Sequence, residues 1–495
     1  MKLSKEILSG IKRSDISVPS GTIFLLPEKI LQFGTGVLLR GLCDYFIDKA
    51  NKKNIFNGRI VVVKSTDKGD TAAFDTQNGL YTHIVKGMEG GKILEEKIIN
   101  ASVSRVLSAK HDWEKILEYA SGKEMQIIIS NTTEVGIAYV EENIFENIPQ
   151  SFPGKLLACL YRRYEIFKGD VNAGMIIIPT ELITDNGKKL KEILLQLAAY
   201  NQLGNLFIVW LQTANHFCNS LVDRIVPGKV IIKENEFGYT DDLAIMSEVY
   251  RLWAIETSNE QVRKKLSFAQ ADSGVIVAPD IYKYRELKLR LLNGTHTLSC
   301  GLAVLSGFKT VKEAMNDKNF RNFVTRVMLD EIAPAIAGEE ISDEEAKNFG
   351  EKVIDRFSNP YIEHQWLSIT LQYSSKMMMR DVPVLLKHYN KSNTVPVLMA
   401  VGFAAYIVFM KSRKNKKGEF VGNANNTDYI INDNKASLLY EHWKQKNINL
   451  IVQQILADKN LWNTNLNDLN NFADAVIKNV TVLMYKGAKT FIKTI

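Results

Sequence analysis

The chain has 495 residues, 46% of them hydrophobic and 24% charged, with 62 basic against 55 acidic side chains. That length exceeds one ordinary core, so two domains are expected. The net charge of +7 suits attraction of small anions but does not demand nucleic acid, and neither a DNA-binding nor an RNA-stacking motif is present. Cys43, Cys159, Cys218 and Cys300 are far apart and include no Cys-x-x-Cys pair, which argues against zinc or a disulfide framework. No metal is expected, and a reducing, cytoplasmic setting fits. The N-terminus is charged and lacks the apolar core of a signal peptide.

In chain order, Lys29–Phe33 reads as a buried strand that runs into Gly34-Thr35-Gly36-Val37 and on to Arg40-Gly41. A helical pattern follows at Leu42, Tyr45 and Phe46. A strand, a Gly-x-Gly turn and a helix together aim backbone N–H groups at a pyrophosphate. Leu39 stands where the usual third glycine would be. A second strand, Ile60–Val63, ends in Lys64-Ser65-Thr66-Asp67. An acid normally holds the ribose at that point. Lys64 would suit the 2′-phosphate of NADP instead, while Asp67 offers an acid three residues later.

Tyr81 to Ile99 reads as a hairpin around Gly87–Gly91. Strand-like runs recur at Gln126–Ile129, Met175–Ile178 and Leu206–Trp210, with helical patterns at Trp113–Tyr119, Leu156–Phe167 and Leu190–Ala199. This alternation implies an α/β, Rossmann-like N-terminal domain with a mainly parallel sheet over residues 1–278. Residues 279–495 read as a mostly α-helical substrate-binding and catalytic domain. Within it, Ser342 and Glu345 have capping-box spacing. Val395–Met410 is apolar but interrupted by Pro396 and Gly402, and too short for a membrane span, so it reads as a buried helix. The basic run Lys411–Gly418 reads as a solvated loop.

Lys288-Leu-Arg-Leu-Leu-Asn293-Gly-Thr-His296 carries the chemistry. A lysine can exchange a proton if its surroundings lower its pKa, and Asn and His can hold an oxygen that alternates between hydroxyl and carbonyl. On an α-helix Asn293 and His296 are neighbours at i, i+3, but Lys288 lies about 7.5 Å earlier along the axis than Asn293, and helical side chains lean toward the N-terminus. Convergence requires the lysine to curl forward or the helix to bend. The plain alternative is a partly buried helix with three polar residues.

Taken together, these motifs resemble the polyol-specific long-chain dehydrogenases, the mannitol dehydrogenase family. The resemblance rests on Lys288/Asn293/His296, on Gly34/Gly36/Arg40, and on Phe217-Cys-Asn-Ser-Leu-Val-Asp223-Arg224-Ile-Val-Pro227. Within that family, Ser130–Glu134, Pro179–Ile183 and Ser374-Ser-Lys376 look most like the branch that reduces tagaturonate. The resemblance implies metal-free, reversible hydride transfer with NAD(H), with Lys288 as acid/base, Asn293 and His296 on the substrate oxygen, and Asp223 steadying the site. For Asp223-Arg224 a structural ion pair is the competing reading.

Phe33, Gly34, Thr35, Gly36, Val37, Arg40, Ser65, Thr66, Asn131 and Thr132 are then expected around the cofactor. Where the polyol enzymes have Cys-Asp-Asn this chain has Thr180-Glu181-Leu182, and Asn186 is a substitute donor. After Asn359-Pro360, His364 and Ser368 replace an Asp and an Arg. Lys376 and Arg380 sit at i, i+4, where they would clamp a carboxylate or form a solvated basic face. Glu181, Asn186, His364, Lys376 and Arg380 are therefore the expected substrate residues, and a small sugar acid the expected substrate. Fructuronate, mannitol and polyol phosphates are rival substrates, and a nucleotide-binding regulatory protein is the non-enzymatic rival. No nucleic-acid or membrane partner is expected, and the sequence is silent on oligomeric state.

Overall fold

A computed structural model describes residues 1–66, 71–132 and 136–495. Asp67, Thr133 and Glu134 lie outside the described residues. The chain divides into two compact units. One comprises Met1–Gly87 with Ile93–Ile281, the other Met88–Lys92 with Tyr282–Ile495.

The first unit is built on a six-stranded parallel sheet: β1 (Glu28–Phe33), β2 (Arg59–Lys64), β3 (Val103–Ser108), β4 (Ile127–Ser130), β5 (Ile176–Pro179) and β6 (His216–Phe217). The spatial order is β3-β2-β1-β4-β5-β6. This is the doubly wound order of dinucleotide-binding domains, whose strand direction of growth reverses between β1 and β4. The central runs Ile60–Val63, Ile127–Ile129 and Ile176–Ile178 are wholly apolar because both faces are covered. Ile30, Ile60, Val62, Ile127 and Ile129 enter one apolar cluster, while Leu31, Phe33, Val61, Val63 and Ile128 enter the other. The two-residue period of the strands sorts them between the layers.

Tyr81–Glu89 and Lys92–Asn100 form the expected hairpin, and they belong to a separate five-stranded sheet. Gly90 and Gly91 both have positive φ at its turn, a conformation that favours glycine. One expectation is overturned. Leu206–Trp210 is not a strand but part of the helix Asn205–Thr213, with Phe207, Trp210 and Leu211 buried and Leu206 and Val209 exposed. Those buried positions follow i, i+3, i+4 spacing, which a short apolar run conceals.

The second unit is mainly helical. Val397–Phe409 is buried along nearly its whole length between Thr295–Leu305 and Phe472–Lys486. Gly402 makes the first contact possible, since a Cβ there would come within 2.7 Å of Leu298 Cδ2. Thirteen residues of helix reach only about 20 Å. Among the described residues no helix is long and apolar enough to cross a membrane. The capping box at Ser342/Glu345 is complete in both directions.

The stretch read as a solvated basic loop is partly folded. Arg413–Lys414 pairs with Phe420–Ala424, which pairs in turn with Thr427–Ile430. Asn425 and Asn426, both at positive φ, make the two-residue turn between the latter pair.

Candidate functional site

In the first unit, the C-terminal ends of β1 and β4 meet at the switch point. Gly34 N donates to Val63 O at 3.0 Å, and Asn131 N donates to Phe33 O at 3.1 Å. Gly34 has φ +130°, and a Cβ on it would sit 3.0 Å from Asn131 O and 3.1 Å from Leu39 Cδ1. Only glycine turns the chain there. Gly36 has nothing within 4 Å of where a Cβ would be, so its backbone is open to a ligand. Thr35 and Val37 are half-buried beside it.

At the end of β2 the Ser65 hydroxyl is buried without a hydrogen-bond partner among the described residues, and Thr66 follows. Open backbone at a glycine turn and an unpaired hydroxyl at the next strand end fit a dinucleotide. Lys64 is 7% exposed and folds its ammonium back onto Thr66 O.

Three expected contacts turn inward. Phe33 is fully buried against Phe152, with ring centroids 5.2 Å apart, leaving only its backbone at the turn. Arg40 is 4% exposed, donates to Leu243 O at 2.5 Å and lies over the Phe74 and Tyr81 rings. It holds the turn from behind instead of facing a phosphate. Asn186 is spent within the fold. Its amide donates to Pro179 O, Glu181 O and Ser220 O, and its oxygen accepts from Gly187 N and Ser220 N. Nothing of that carboxamide is left to meet a substrate oxygen.

Glu181, 3% exposed, accepts from Thr132 N at 2.9 Å, Thr132 Oγ1 at 3.0 Å and Ser130 Oγ at 3.1 Å, while Asn131 donates to Thr180. The carboxylate thus braces the loop after β4. Asp223 ends the strand Ser220–Asp223 and is 8% exposed. Arg224 donates to Gly41 O and Glu248 O and covers the Tyr45 ring at 4.5 Å, which ties this signature to the back of the glycine turn.

In the second unit the motif lies in a π-helical turn, which neither a curled lysine nor a bend at Asn293-Gly294 had described. Lys288–Gly294 is π-helical, followed directly by the α-helix Thr295–Leu305. On an α-helix, residues five apart point about 140° away from each other. The i→i+5 ladder of a π-turn instead stacks them on one face. Lys288 and Asn293 are five apart, and His296 continues the same side at i+3 from Asn293. Lys288 and Asn293 are both half-buried.

His296 lies flat on Phe357, ring centroids 3.9 Å apart and planes 11° apart, and edge-on to His364 at 5.2 Å. Its Nε2 is buried and has no hydrogen-bond partner among the described residues. Burial, then His364 and the cations Arg356, Arg380 and Lys376, hold this imidazole well below its usual pKa, so it is neutral. His364 is lowered too, by burial and by Lys376.

Lys376 closes the helix Tyr373–Lys376, and Arg380 lies in a second π-turn, Met377–Asp381. Lys376 Nζ donates to Ile369 O at 2.8 Å. Arg380 Nη1 donates to Thr297 Oγ1 at 3.1 Å and Asn293 O at 3.4 Å. Burial lowers the pKa of both, and each donates its hydrogen bonds to neutral oxygens. These two are not a solvated basic face.

Sequence reasoning missed Phe357, Arg290 and Asp381. Arg290 donates to Met379 O and Arg380 O and so laces the two π-turns together. Only the position of Asp381 immediately after Arg380 hinted at a role for it.

Residues 28–267 match the mannitol dehydrogenase Rossmann domain, and residues 280–484 match the mannitol dehydrogenase C-terminal domain. The chain belongs to the mannitol dehydrogenase family. Altronate oxidoreductase of Bacillus subtilis is 37% identical over 91% of this chain and 91% of its own length. Altronate oxidoreductases of Halalkalibacterium halodurans and Bacteroides thetaiotaomicron are each 34% identical, over 94% and 95% of this chain and 92% and 97% of theirs.

Among solved structures, D-sorbitol dehydrogenase in substrate-free form aligns with a TM-score of 0.78 at 19% identity, over 99% of this chain and 100% of its own. Mannitol 2-dehydrogenase of Pseudomonas fluorescens, in ternary complex with NAD and D-mannitol, aligns with a TM-score of 0.67 at 21% identity, over 100% and 99%. Both share the family fold.

Proposed function

We propose that the chain is an NAD(H)-dependent hexuronate reductase that interconverts tagaturonate and altronate. The observation that carries the sugar-acid reading is Lys376 with Arg380. These are two part-buried cations beside two neutral imidazoles, with no ion-paired carboxylate among the described residues. A neutral polyol would leave that charge uncompensated, whereas the carboxylate of a hexuronate would accept from both. The curated relatives named altronate oxidoreductase support the same substrate.

The Gly34–Val37 turn and Ser65 would hold NADH, which when bound would supply the hydride for the ketone carbon. Lys288, as an ammonium, gives its proton to the developing alkoxide, and in the oxidation direction it takes that proton back. Asn293 donates to the same oxygen, and neutral His296 meets it through the unpaired Nε2. Asp223 is assigned the charge-steadying role. NADH is favoured over NADPH because Lys64 is folded onto Thr66 O and not extended toward a 2′-phosphate.

The test is initial rates of the purified protein with tagaturonate, fructuronate and fructose, each with NADH and NADPH. Tagaturonate with NADH should be fastest. Faster turnover of fructose would overturn the sugar-acid reading, faster turnover of fructuronate would reassign the epimer, and equal rates with NADPH would overturn the cofactor assignment.

A further inference from the structure

Asp381 ends the second π-turn, is fully buried, and has no hydrogen-bond partner for either carboxyl oxygen among the described residues. Its oxygen lies where side-chain space at Gly294 would otherwise be. A Cβ on that glycine would come within 2.8 Å of Asp381 Oδ1. Gly294 is the last residue of the turn that stacks Lys288 over Asn293. It has ordinary helical angles, so its backbone does not require glycine. The Asp381 carboxyl does.

The surrounding contacts point the same way. Arg290 reaches from the first π-turn to the carbonyls of Met379 and Arg380, and Arg380 reaches back to Asn293 O. These bonds hold the edges of the contact, and the carboxyl fills its centre. Burial pushes the pKa of this carboxyl well above the usual carboxylate range, against the attraction of Arg380 and Arg290. A compact wedge is what the space beside Gly294 accepts.

We infer that Asp381 is a positioning residue whose carboxyl, seated on Gly294, sets the register of the π-turn and thereby keeps Lys288 in line with Asn293. The inference rests on the reading of Lys288 as the proton donor.

A size-swap experiment tests it. Gly294→Ala and Asp381→Ala should each lower kcat by about tenfold or more. KM and NADH affinity, the latter read by fluorescence titration, should change little. The double variant Gly294→Ala/Asp381→Ala should recover kcat above the product of the two losses, because the added methyl occupies the vacated space. Asp381→Asn keeps the shape and should lose far less kcat than Asp381→Ala; this milder variant keeps the test alive should the alanine variants fail to fold.

Thermal melting run alongside separates positioning from packing. A purely structural role would lower Tm in the single variants while leaving kcat of the folded fraction intact, and that result overturns the inference. So would a double variant no better than the product of its singles, or equal losses in Asp381→Asn and Asp381→Ala. Lys288→Ala is measured in parallel. If it retains full turnover, the reading of the lysine fails. If it is inactive while the size swap has no effect on kcat, only the role of Asp381 fails.

Discussion

Replacing Lys288 with alanine removes the group assigned to deliver the proton and leaves the glycine turn of the first unit untouched. Turnover should fall by about 10²–10⁴-fold, the usual contribution of a positioned acid or base. NADH binding, followed by fluorescence, should stay within error of the unmodified protein. Unchanged turnover would reduce the lysine to helix packing.

Lys376 and Arg380 carry a second prediction. Alanine at either position should raise KM for a hexuronate by roughly 10- to 100-fold, matching the loss of a charge-assisted hydrogen bond worth about 1.5–3 kcal/mol. An uncharged ketose should be affected far less. The Lys376 ammonium is lowered by burial first and by Arg380 second, so it loses its charge at a lower pH than an ordinary lysine. KM for the acid should therefore begin to climb at an alkaline pH where KM for fructose stays flat. Parallel curves for the two substrates would count against the clamp.

Elements were legible to different degrees. The strand, glycine turn and helix around Gly34 could be read directly, because turn chemistry is local. The motif spacing Lys288–Asn293–His296 was equally visible, yet it looked wrong for a helix. A period of 3.6 residues is the only helical ruler a sequence reader holds, and a π-turn does not obey it. Leu206–Trp210 was misread for a related reason, since five apolar residues are too few to reveal a period. Arg40 and Asn186 match the right motifs but face the interior, and no local pattern reports which way a side chain turns.

At this scale Glu331 makes its own prediction. It lies in a third π-turn, Val327–Ile332, and caps the buried helix Val397–Phe409 by accepting from Leu398 N and Met399 N. Burial pushes its pKa up to about 7, from 4.5. The folded state then holds a proton that the unfolded state has released, so this group's stabilisation is complete below about pH 4.5 and is lost as pH rises to about 7. Glu331→Gln should remove that component. The Tm of Glu331→Gln minus that of the unmodified protein should increase between pH 5 and pH 7.5, and a constant difference would show that the carboxyl does not titrate there.

At the scale of the whole molecule, the grammar of the sequence changes near Ala278, where short β-branched runs give way to long helical patterns, while the second compact unit begins at Tyr282 and also takes Met88–Lys92, which the sequence did not mark. The strand order was not readable, because parallel pairing joins residues distant in sequence and leaves no local trace. Three apolar clusters of the first unit, among the described residues, fall within its own residues. A fragment of residues 1–281 should therefore fold, melt cooperatively and bind NADH, yet turn over no substrate, because Lys288 lies outside it. A fragment that is unfolded by circular dichroism would show that the first unit depends on the second.

The π-turn also changes how the helix should respond to a change in chain length. Five steps from Lys288 to Asn293 amount to four α-helical steps plus one surplus residue, and the turn absorbs the surplus without rotating its flanks. Removing Leu289 would shorten the spacing to i, i+4, which an ordinary α-helix also stacks on one face. A one-residue deletion there should leave a folded protein, whereas deleting Ser299 in the α-helix that follows would swing one half against the other by about 100°. Tolerance of deletion should thus be concentrated at the place where the groups proposed to react are most closely specified.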